Sequence, residues 1–312
     1  MKGACIIMKK IHIGQTGLSA PPIAVGCMRL AGKTPLEAET LLKTALELGL
    51  NFFDHADIYG GGKSEELFAR AIGMNDDKRE KLILQSKCGI TNGRYDFSKK
   101  HILEATDGIL KRLKTDYLDI LLLHRPDALC EPEEVAEAFD ILQTSGKVRH
   151  FGVSNHNPAR IRLLNKYLSE PVAVNQLQFS LTNTTMLDAG LNVNMENDAA
   201  VDRDGSVLDF CRLEDITVQA WSPFQFGFFG GVFIDNPQFP ELNQALARVA
   251  AEHGVTKTAV AVAWILRHPA HMQVVTGTTN PARLAECAAG AAVTLSREQW
   301  YDLYKSAGNT LP

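Results

Sequence analysis

"YLDILLLH", residues 117–124, is a run of apolar residues interrupted by one acid and ended by a histidine. The run does not alternate between apolar and polar residues, so both faces of the segment are expected to be buried. Strands buried on both faces are typical of parallel sheets, whose crossover helices cover the sheet on either side. The run therefore predicts a central strand of a parallel sheet, with His124 at its carboxyl end.

Helical and extended segments alternate on both sides of this strand. The helix before it is predicted to begin after Ser98, and the helix after it at Pro132. Thr34, Pro35 and Glu37 form a capping-box pattern with proline in the first turn, which predicts a further helix start. The predicted strands are IAVG near residue 25, NFFD (51–54), KLILQSK (81–87), YLDILLLH (117–124), KVRHFGVS (147–154), PVAVNQLQ (171–178), DITVQAWS (215–222) and MQVVTG (272–277).

Eight strand–helix units in 312 residues predict an α/β fold, the closed (β/α)8 TIM barrel, whose active site lies at the carboxyl ends of the strands. The alternative is an open doubly wound sheet, but no G-x-G-x-x-G fingerprint follows any predicted strand. No linker rich in proline or serine divides the chain. We therefore predict a single domain over residues 1–312, with residues 1–8 as a dispensable extension because Met8 is a second plausible start.

Charge and composition exclude several classes of partner. The formal net charge is −4 and the charges are interspersed, which argues against nucleic acid and against an acidic membrane surface. No apolar run approaches the roughly 18 residues that span a bilayer. The six cysteines are scattered without a C-x-x-C pair, which indicates free thiols, no structural zinc and a reducing compartment, the cytoplasm by default.

Two connections are unusually long. Residues 180–205 are polar, with the composition of a segment that can be disordered. Residues 222–238 are rich in glycine and phenylalanine. Long connections in compact domains are usually functional or disordered, and the second is too aromatic to be disordered.

A second stretch, "NFFDHADIYGGGKSEE" (51–66), has three chemical interpretations. As a phosphate loop, it would place Asp57 at the first glycine of G-x-x-x-x-G-K-[ST], where an acid repels phosphate. As a metal site, it offers Asp54, His55 and Asp57, but such a site needs further ligands from elsewhere. His124 and His156 at other strand ends keep the metal interpretation open, although no spacing supports it.

The third interpretation is proton transfer. Carboxyl ends of the strands in a (β/α)8 barrel meet on one rim, where catalytic residues gather. Polar residues follow the predicted strands at those ends: Asp54 and Tyr59, Lys87, His124, Ser154 and Asn155, Gln176, Trp221 and Ser222, Gly277 and Thr278.

Four of these residues have complementary chemistry. Tyr59 is a poor acid at neutral pH because its reference pKa is about 10, and a nearby ammonium, that of Lys87, favours tyrosinate and lowers this pKa. Asp54 can pair with Lys87 and offset the cost of burying its charge. His124 can hydrogen-bond the reacting oxygen. The set predicts a proton donor for an oxygen that gains negative charge, as a carbonyl oxygen does when hydride reaches its carbon.

At these residues the sequence resembles the aldo-keto reductase family, and in particular bacterial oxidoreductases of uncharacterised substrate. The segments that carry the resemblance occur in order from about residue 10 to 290: FDHADIYGGGKSEE, LQSKCG, LLLHRPD, HFGVSN, VNQLQFS, AWSPF and VTGTTNPARLAE. The resemblance implies a (β/α)8 barrel that binds NADPH and reduces aldehydes or ketones, with Tyr59 as general acid and Asp54, Lys87 and His124 completing a tetrad.

The resemblance also implies cofactor contacts. Ser154, Asn155 and Gln176 would hold the nicotinamide carboxamide, and Trp221, followed by Ser222, would stack on the ring. The loop with Gly227, Gly230 and Gly231 would cover the pyrophosphate. Gly277 and Thr278 with Arg283 would face the adenosine 2′-phosphate, and Glu286 the adenine.

Departures from the family pattern affect both ends of this site. His55 stands where many members have threonine, and Cys287 replaces a frequent asparagine. Gly277 replaces a frequent lysine and removes one cation from the 2′-phosphate, although Arg283 alone can bind a phosphate bidentately.

A second hypothesis is a regulatory subunit that binds NADPH but turns over little, as some relatives of this fold do. Asp57, Lys63 and Arg125 are interpreted as structural or solvated. The substrate is expected to be a small carbonyl compound, whose identity depends on the loops near Arg29, Tyr95 and Arg125 and on the two long connections.

Overall fold

A computed structural model of the protein describes residues 8–312. The predicted dispensable extension, residues 1–8, lies outside the described residues except for Met8. The same holds for Cys5, whereas the other five cysteines are free thiols.

Eight strands form a closed barrel in which every neighbouring pair is parallel. The strands follow one another around the barrel in chain order, and β8 pairs with β1. The (β/α)8 prediction is confirmed, and the open-sheet alternative is wrong because the sheet has no free edge. The strands are β1 (Ile23–Gly26), β2 (Phe52–Asp54), β3 (Ile83–Cys88), β4 (Leu118–Leu123), β5 (Val148–Ser154), β6 (Val174–Gln178), β7 (Thr217–Trp221) and β8 (Gln273–Thr276).

Helices follow the strands and surround the barrel. The predicted capping box at Thr34 is present, with reciprocal hydrogen bonds to Glu37, and the Ser98 side chain caps α4 as predicted. The helices are α1 (Pro35–Glu47), α2 (Lys63–Ile72), α3 (Asp76–Arg79), α4 (Lys99–Leu113), α5 (Pro132–Thr144), α6 (Pro158–Asn165), α7 (Thr185–Leu191), α8 (Val207–Leu213), α9 (Pro240–His253), α10 (Lys257–Leu266), α11 (Pro281–Gly290) and α12 (Arg297–Ser306).

Two apolar clusters stabilise this arrangement. The larger one lies between strands and helices, as when Leu121 and Leu123 of β4 join Ile109 and Val135. The smaller one lines the barrel interior and includes Ile120 and Leu122. Residues from Ile120 to Leu123 thus alternate between the two clusters, which explains why this part of the run is apolar on both faces.

A short antiparallel hairpin, Ile11–His12 with Ser19–Ala20, precedes the barrel. Its fully buried Ile13 belongs to the interior cluster, and its Gly14 N–H donates to the Thr217 hydroxyl at the start of β7. The hairpin therefore covers the amino ends of the strands, and the opposite rim stays open for a site.

The polar connection 180–205 is ordered, so the prediction that it could be disordered is wrong. It contains α7 and a short 3-10 turn at Asp198–Ala200. Met186 and Leu187 are buried, and Asp188 accepts a hydrogen bond of 2.7 Å from the Tyr304 hydroxyl of α12. The buried apolar residues are few, and the hydrogen bond depends on Tyr304, which is distant in sequence, so the polar composition of the connection does not predict its structure.

None of the helices in residues 8–312 is both long and apolar enough to cross a membrane.

Candidate active site

Three consecutive glycines position Tyr59 at the open rim. Tyr59 begins a tight turn after β2, and Gly60, Gly61 and Gly62 all have positive φ, at 59°, 62° and 89°. A Cβ on Gly60 would lie 2.4 Å from the Cβ of Ala31, so only glycine fits there. The glycine run that resembles a phosphate loop therefore shapes the turn that carries Tyr59.

Lys87 connects Tyr59 to a buried acid. Its Nζ donates to both carboxylate oxygens of Asp54, at 2.8 and 2.7 Å, and to the His55 carbonyl at 2.8 Å. A longer contact of 3.3 Å reaches the Tyr59 hydroxyl. Lys87 and Asp54 are both buried, and a pair this well hydrogen-bonded offsets part of its desolvation cost.

A layer of buried glutamines supports Asp54 from inside the barrel, and sequence reasoning missed most of it. Gln85 and Gln176 donate to Asp54 Oδ1 at 2.6 and 3.0 Å. Both also donate to Gln219, which in turn donates to Gln273 at 2.8 Å. A glutamine within an otherwise apolar strand, as in KLILQSK and DITVQAWS, indicates such a layer in the sequence, because a buried amide needs hydrogen-bond partners.

His124 approaches the tyrosine from β4. The two rings are 6.1 Å apart and nearly perpendicular. Nδ1 of His124 is buried and has no hydrogen-bond partner among residues 8–312. Burial, with the positive charges of Lys87 and Arg125, holds the pKa of His124 well below its usual range, so the imidazole is neutral at neutral pH.

The net pKa shift of Tyr59 is opposite in direction to the one that the sequence predicts. Burial raises the pKa of Tyr59 above its ordinary value, and Lys87 lowers it only in part. Burial alone would lower the pKa of Lys87, but Asp54 and Tyr59 outweigh burial and raise it. At neutral pH the pair is therefore a protonated tyrosine beside an ammonium.

A cavity of about 1000 Å³ opens above this group. Asp54, Tyr59 and His124 line it, whereas Lys87 lies behind them. The predicted cofactor residues along its wall are Ser154, Asn155, Gln176, Trp221, Ser222, Gly277, Thr278, Arg283 and Glu286.

Three predicted glycines, Gly227, Gly230 and Gly231, do not line the cavity. They belong to the loop after β7, where Gln225–Phe226 pairs with Gly231–Val232 in a short hairpin. Its Phe228 and Phe229 contribute to the cavity wall instead. Gly227 has φ 57° and its carbonyl accepts a hydrogen bond from Gln178, so these glycines shape the loop.

Hydrogen bonds preorganise the middle of the cavity. The Asn155 amide donates to the Ser154 hydroxyl at 2.7 Å, and that hydroxyl donates to the Gln176 carbonyl. The indole N–H of Trp221 donates to Asn155 at 3.2 Å. Asn155 itself has φ 60°, a left-handed conformation that asparagine tolerates better than most residues.

The far end of the cavity lies at the amino end of α11. Asn280 caps this helix, and exposed Arg283 stands in its first turn. Arg29, which follows β1, donates to the Gly277 carbonyl at 3.0 Å. A Cβ on Gly277 would lie 3.3 Å from the Arg29 guanidinium. Arg29 thus brings a cation to the place where the sequence lacks a lysine.

Arg125, which the sequence suggests is structural or solvated, lines the cavity and is half-buried. Sequence reasoning could not separate these cases, because a charge directly after a strand end occurs on solvated and cavity-facing loops alike.

The part of the chain that the structure describes holds no group of three or more His, Cys, Asp or Glu residues arranged to bind a metal ion.

Comparison with known proteins identifies the family. The sequence profile described as Aldo/keto reductase family matches residues 22–307. The chain belongs to the aldo/keto reductase family. It is similar to a 6-dehydroglucose reductase of Novosphingobium aromaticivorans, with 36% identity covering 96% of each chain. It is also similar to the uncharacterized oxidoreductase YcsN of Bacillus subtilis, with 35% identity over 95% of this chain and 97% of the relative.

A solved structure agrees with the fold. The crystal structure of the thermostable aldo-keto reductase Tm1743 in complex with the inhibitor epalrestat is 26% identical to this chain. It superposes with a TM-score of 0.78 and covers 96% of this chain and 100% of that one. The protein is thus an oxidoreductase of a family that acts on small carbonyl compounds with a nicotinamide cofactor.

His55, the residue that departs from the threonine of many aldo/keto reductases, is fully buried against Phe68, 4.5 Å between ring centres. Neither ring nitrogen has a hydrogen-bond partner among residues 8–312. Burial, and secondarily Lys87, lowers the pKa of His55 to about 3. Between pH 6.5 and about pH 3, the His55 imidazole is therefore neutral in the folded protein but mostly protonated in an unfolded chain.

Replacing this imidazole changes how stability depends on pH. Since the folded pKa lies below the unfolded value of about 6.5, the His55 contribution to the free energy of unfolding is present above pH 6.5 and lost as pH falls toward 3. At pH 5 the loss is about 2 kcal/mol. We expect the difference in unfolding free energy between wild type and His55→Thr to shift by that amount between pH 7 and pH 5, in favour of the variant.

Urea unfolding at the two pH values measures this shift. The pH-dependent contributions of Asp57 and of the other histidines cancel in the difference, because both proteins contain these residues. His12→Thr, at an exposed histidine of the hairpin, is the matched control. An equal stability difference at both pH values would contradict a neutral buried His55.

Proposed function

We propose that this protein reduces an aldehyde or ketone with NADPH, and that Tyr59 is the general acid. The observation that carries the proposal is the 3.3 Å contact between the Tyr59 hydroxyl and the Lys87 ammonium, because Tyr59 lines a cavity that is also lined by the cations Arg29 and Arg283. A proton donor and an anion-binding end within one cavity support a reaction with a large phosphorylated cofactor.

The tetrad residues have separate roles in this proposal. Neutral His124 hydrogen-bonds the carbonyl oxygen and orients it toward Tyr59. When bound, NADPH supplies the hydride that reaches the carbonyl carbon. Tyr59 gives its proton to the oxygen as negative charge develops there, and Lys87 stabilises the tyrosinate that remains. Asp54 and the glutamine layer hold Lys87 in place, so little reorganisation is needed during the reaction.

The polar atoms of the cavity fit a dinucleotide. Ser154, Asn155 and Gln176 supply hydrogen-bonding groups for the carboxamide, and Trp221, held by Asn155, supplies a flat surface for the nicotinamide ring. The loop of Gly227, Gly230 and Gly231 together with Ser222 would cover the pyrophosphate. Its left-handed residues allow the backbone to approach closely.

The adenosine end favours NADPH over NADH in this proposal. Thr278 and Arg283 stand at the amino end of α11, where backbone N–H groups attract anions, and Glu286 would contact the adenine. Arg29 donates a hydrogen bond to the Gly277 carbonyl and so supplies a cation beside the position where many family members have lysine. The sequence departure at Gly277 therefore need not weaken binding of the 2′-phosphate.

Removing the exposed cation of α11 tests this preference. We expect Arg283→Gln to weaken NADPH binding about 10–100-fold, the effect of losing a charged hydrogen bond worth about 1.5–3 kcal/mol. NADH binding should not change, because NADH lacks the 2′-phosphate. Fluorescence titration with both cofactors measures the two dissociation constants.

The control is Arg70→Gln in the last turn of α2, an exposed arginine outside the cavity. If Arg283→Gln weakens NADPH and NADH binding alike, Arg283 does not contact the 2′-phosphate.

The proposed activity is tested by following NADPH oxidation with a panel of aldehydes and ketones. The panel includes 6-dehydroglucose, because a relative with 36% identity carries that activity in its name. Turnover of at least one carbonyl compound supports the reductase. Tight NADPH binding without turnover of any would favour the regulatory-subunit hypothesis instead.

A further inference from the structure

Arg125 is an unpaired cation in the cavity wall. It follows His124 at the carboxyl end of β4, and its half-buried guanidinium makes neither a hydrogen bond nor an ion pair with the residues from 8 to 312. Other shielded arginines are satisfied: Arg79 pairs with Asp119 and Arg112 with Glu65, each at 2.7 Å. Because desolvating a charge is costly without a partner, the isolation of Arg125 needs an explanation.

The surroundings of Arg125 are aromatic. Its guanidinium carbon lies 5.7 Å from the Trp221 ring centre and 6.0 Å from that of Phe228. Tyr95 also lines this part of the cavity. Burial lowers the pKa of Arg125, and Tyr95 opposes the shift. A guanidinium between apolar rings is only weakly compensated by cation–π attraction, so an anion placed there would gain a strong partner.

No acid of the cavity serves as that anion. Asp54 is held by Lys87, and Asp235 pairs with Lys257. Glu286 lies on α11 near Arg283, at the adenosine end of the proposed cofactor site, and forms no ion pair with Arg125 in the described part of the chain. The acids that line the described cavity therefore leave the Arg125 guanidinium available to an anion from outside the protein.

We propose that Arg125 binds an oxyanion of the substrate, so that the enzyme prefers small carbonyl compounds that carry a carboxylate or a phosphate. This inference rests on the proposed function, since the carbonyl must lie at Tyr59 and His124. His124 and Arg125 are consecutive residues, which brings the oxygen-orienting group and the anion-binding group to one wall. The planar guanidinium matches an oxyanion bidentately, and the Phe228 ring, 6.0 Å from the Arg125 guanidinium carbon, packs against the substrate between its two polar ends.

The test uses pairs of substrates in which one member carries an anionic group and the other is neutral. 4-Carboxybenzaldehyde is compared with 4-formylbenzamide, and glyceraldehyde 3-phosphate with glyceraldehyde, in wild type, Arg125→Met and Arg125→Lys. The readout is the ratio of kcat/KM between the charged and the neutral member of a pair, since a general loss of activity cancels in the ratio. We expect a wild-type ratio of about 10–100 for the preferred anion, a ratio of about one in Arg125→Met, and an intermediate ratio in Arg125→Lys.

The two pairs decide whether the oxyanion is a carboxylate or a phosphate. Arg70→Gln is the matched control and should keep the wild-type ratio. A ratio of about one in wild type for both pairs, or a ratio unchanged in Arg125→Met, would overturn the proposal while leaving the reductase activity established.

A binding measurement covers the case in which nothing is turned over. Calorimetry of the NADPH complex compares the alcohols that reduction of each pair would give: 4-(hydroxymethyl)benzoate with 4-(hydroxymethyl)benzamide, and glycerol 3-phosphate with glycerol. Tighter binding of an anion in wild type but not in Arg125→Met supports the anion site even if the proposed reaction is wrong. Equal binding of the charged and neutral members of both pairs rejects the site.

Discussion

Replacing Tyr59 with phenylalanine is expected to lower kcat about 10²–10⁴-fold, the usual contribution of a positioned general acid. The ring stays in place because the glycine turn holds its backbone, and only the hydroxyl next to Lys87 is lost. NADPH affinity should not change, since the hydroxyl belongs to the carbonyl end of the cavity. Single-turnover reduction of one accepted aldehyde, together with NADPH titration, separates the two effects.

Tyr167→Phe, at a partly exposed tyrosine after α6, is the matched control and should react like wild type. A Tyr59→Phe protein that reduces the aldehyde at the wild-type rate would show that Tyr59 is only structural. The central assignment of the site would then be wrong.

Breaking the buried ion pair is expected to cost more stability than any other change considered above. Lys87→Met leaves the Asp54 carboxylate buried without its cation, and Asp54→Asn leaves the ammonium without its acid. Each change should lower the free energy of unfolding by about 3–5 kcal/mol, because an uncompensated charge remains inside the barrel. The double variant Asp54→Asn/Lys87→Met removes both charges and should be more stable than either single variant.

The catalytic activity of these three variants is not expected to change in parallel with their stability. Without Lys87 the tyrosinate loses its stabilising cation, so the double variant should remain nearly inactive although its fold recovers. Urea unfolding and NADPH oxidation measure the two properties on the same proteins. The exposed pair Lys99 and Glu137, changed to Met and Gln, is the control and should cost at most about 1 kcal/mol.

Strictly additive losses in the double variant would mean that Asp54 and Lys87 do not stabilise each other. The hydrogen bonds of 2.7 and 2.8 Å between Lys87 and Asp54 would then contribute no coupling free energy to stability. The glutamine layer, rather than the ion pair, would be the main support of the site.

The sequence by itself determined the architecture and indicated four candidate reacting residues. Strand β4 is apolar on both faces because alternate residues enter the interior and exterior clusters, so its pattern alone indicates a sheet covered on both sides. The capping box at Thr34 depends on neighbours three residues apart, so it too could be read from the sequence. The four residues of the proposed tetrad could be picked out because parallel strands bring their carboxyl ends to one rim.

Only the tertiary structure decided features that depend on residues distant in sequence. Gln219 reaches Asp54 through Gln85 and Gln176, which lie 134 and 43 residues away along the chain, and strand composition does not encode such a network. The connection 180–205 is ordered because α7 meets Tyr304 of α12. The pKa of Tyr59 is raised because the assembled barrel desolvates the hydroxyl more than Lys87 compensates.

The same reason separates Arg125 from an ordinary surface charge. Its environment is formed by Trp221 and Phe228, about 100 residues later in the chain, and packing alone determines whether an acid approaches it. Local sequence patterns reflect the interactions of a residue with its neighbours in the chain. Desolvation and ion pairing depend on neighbours in space, which here come from different strands and loops of the closed barrel.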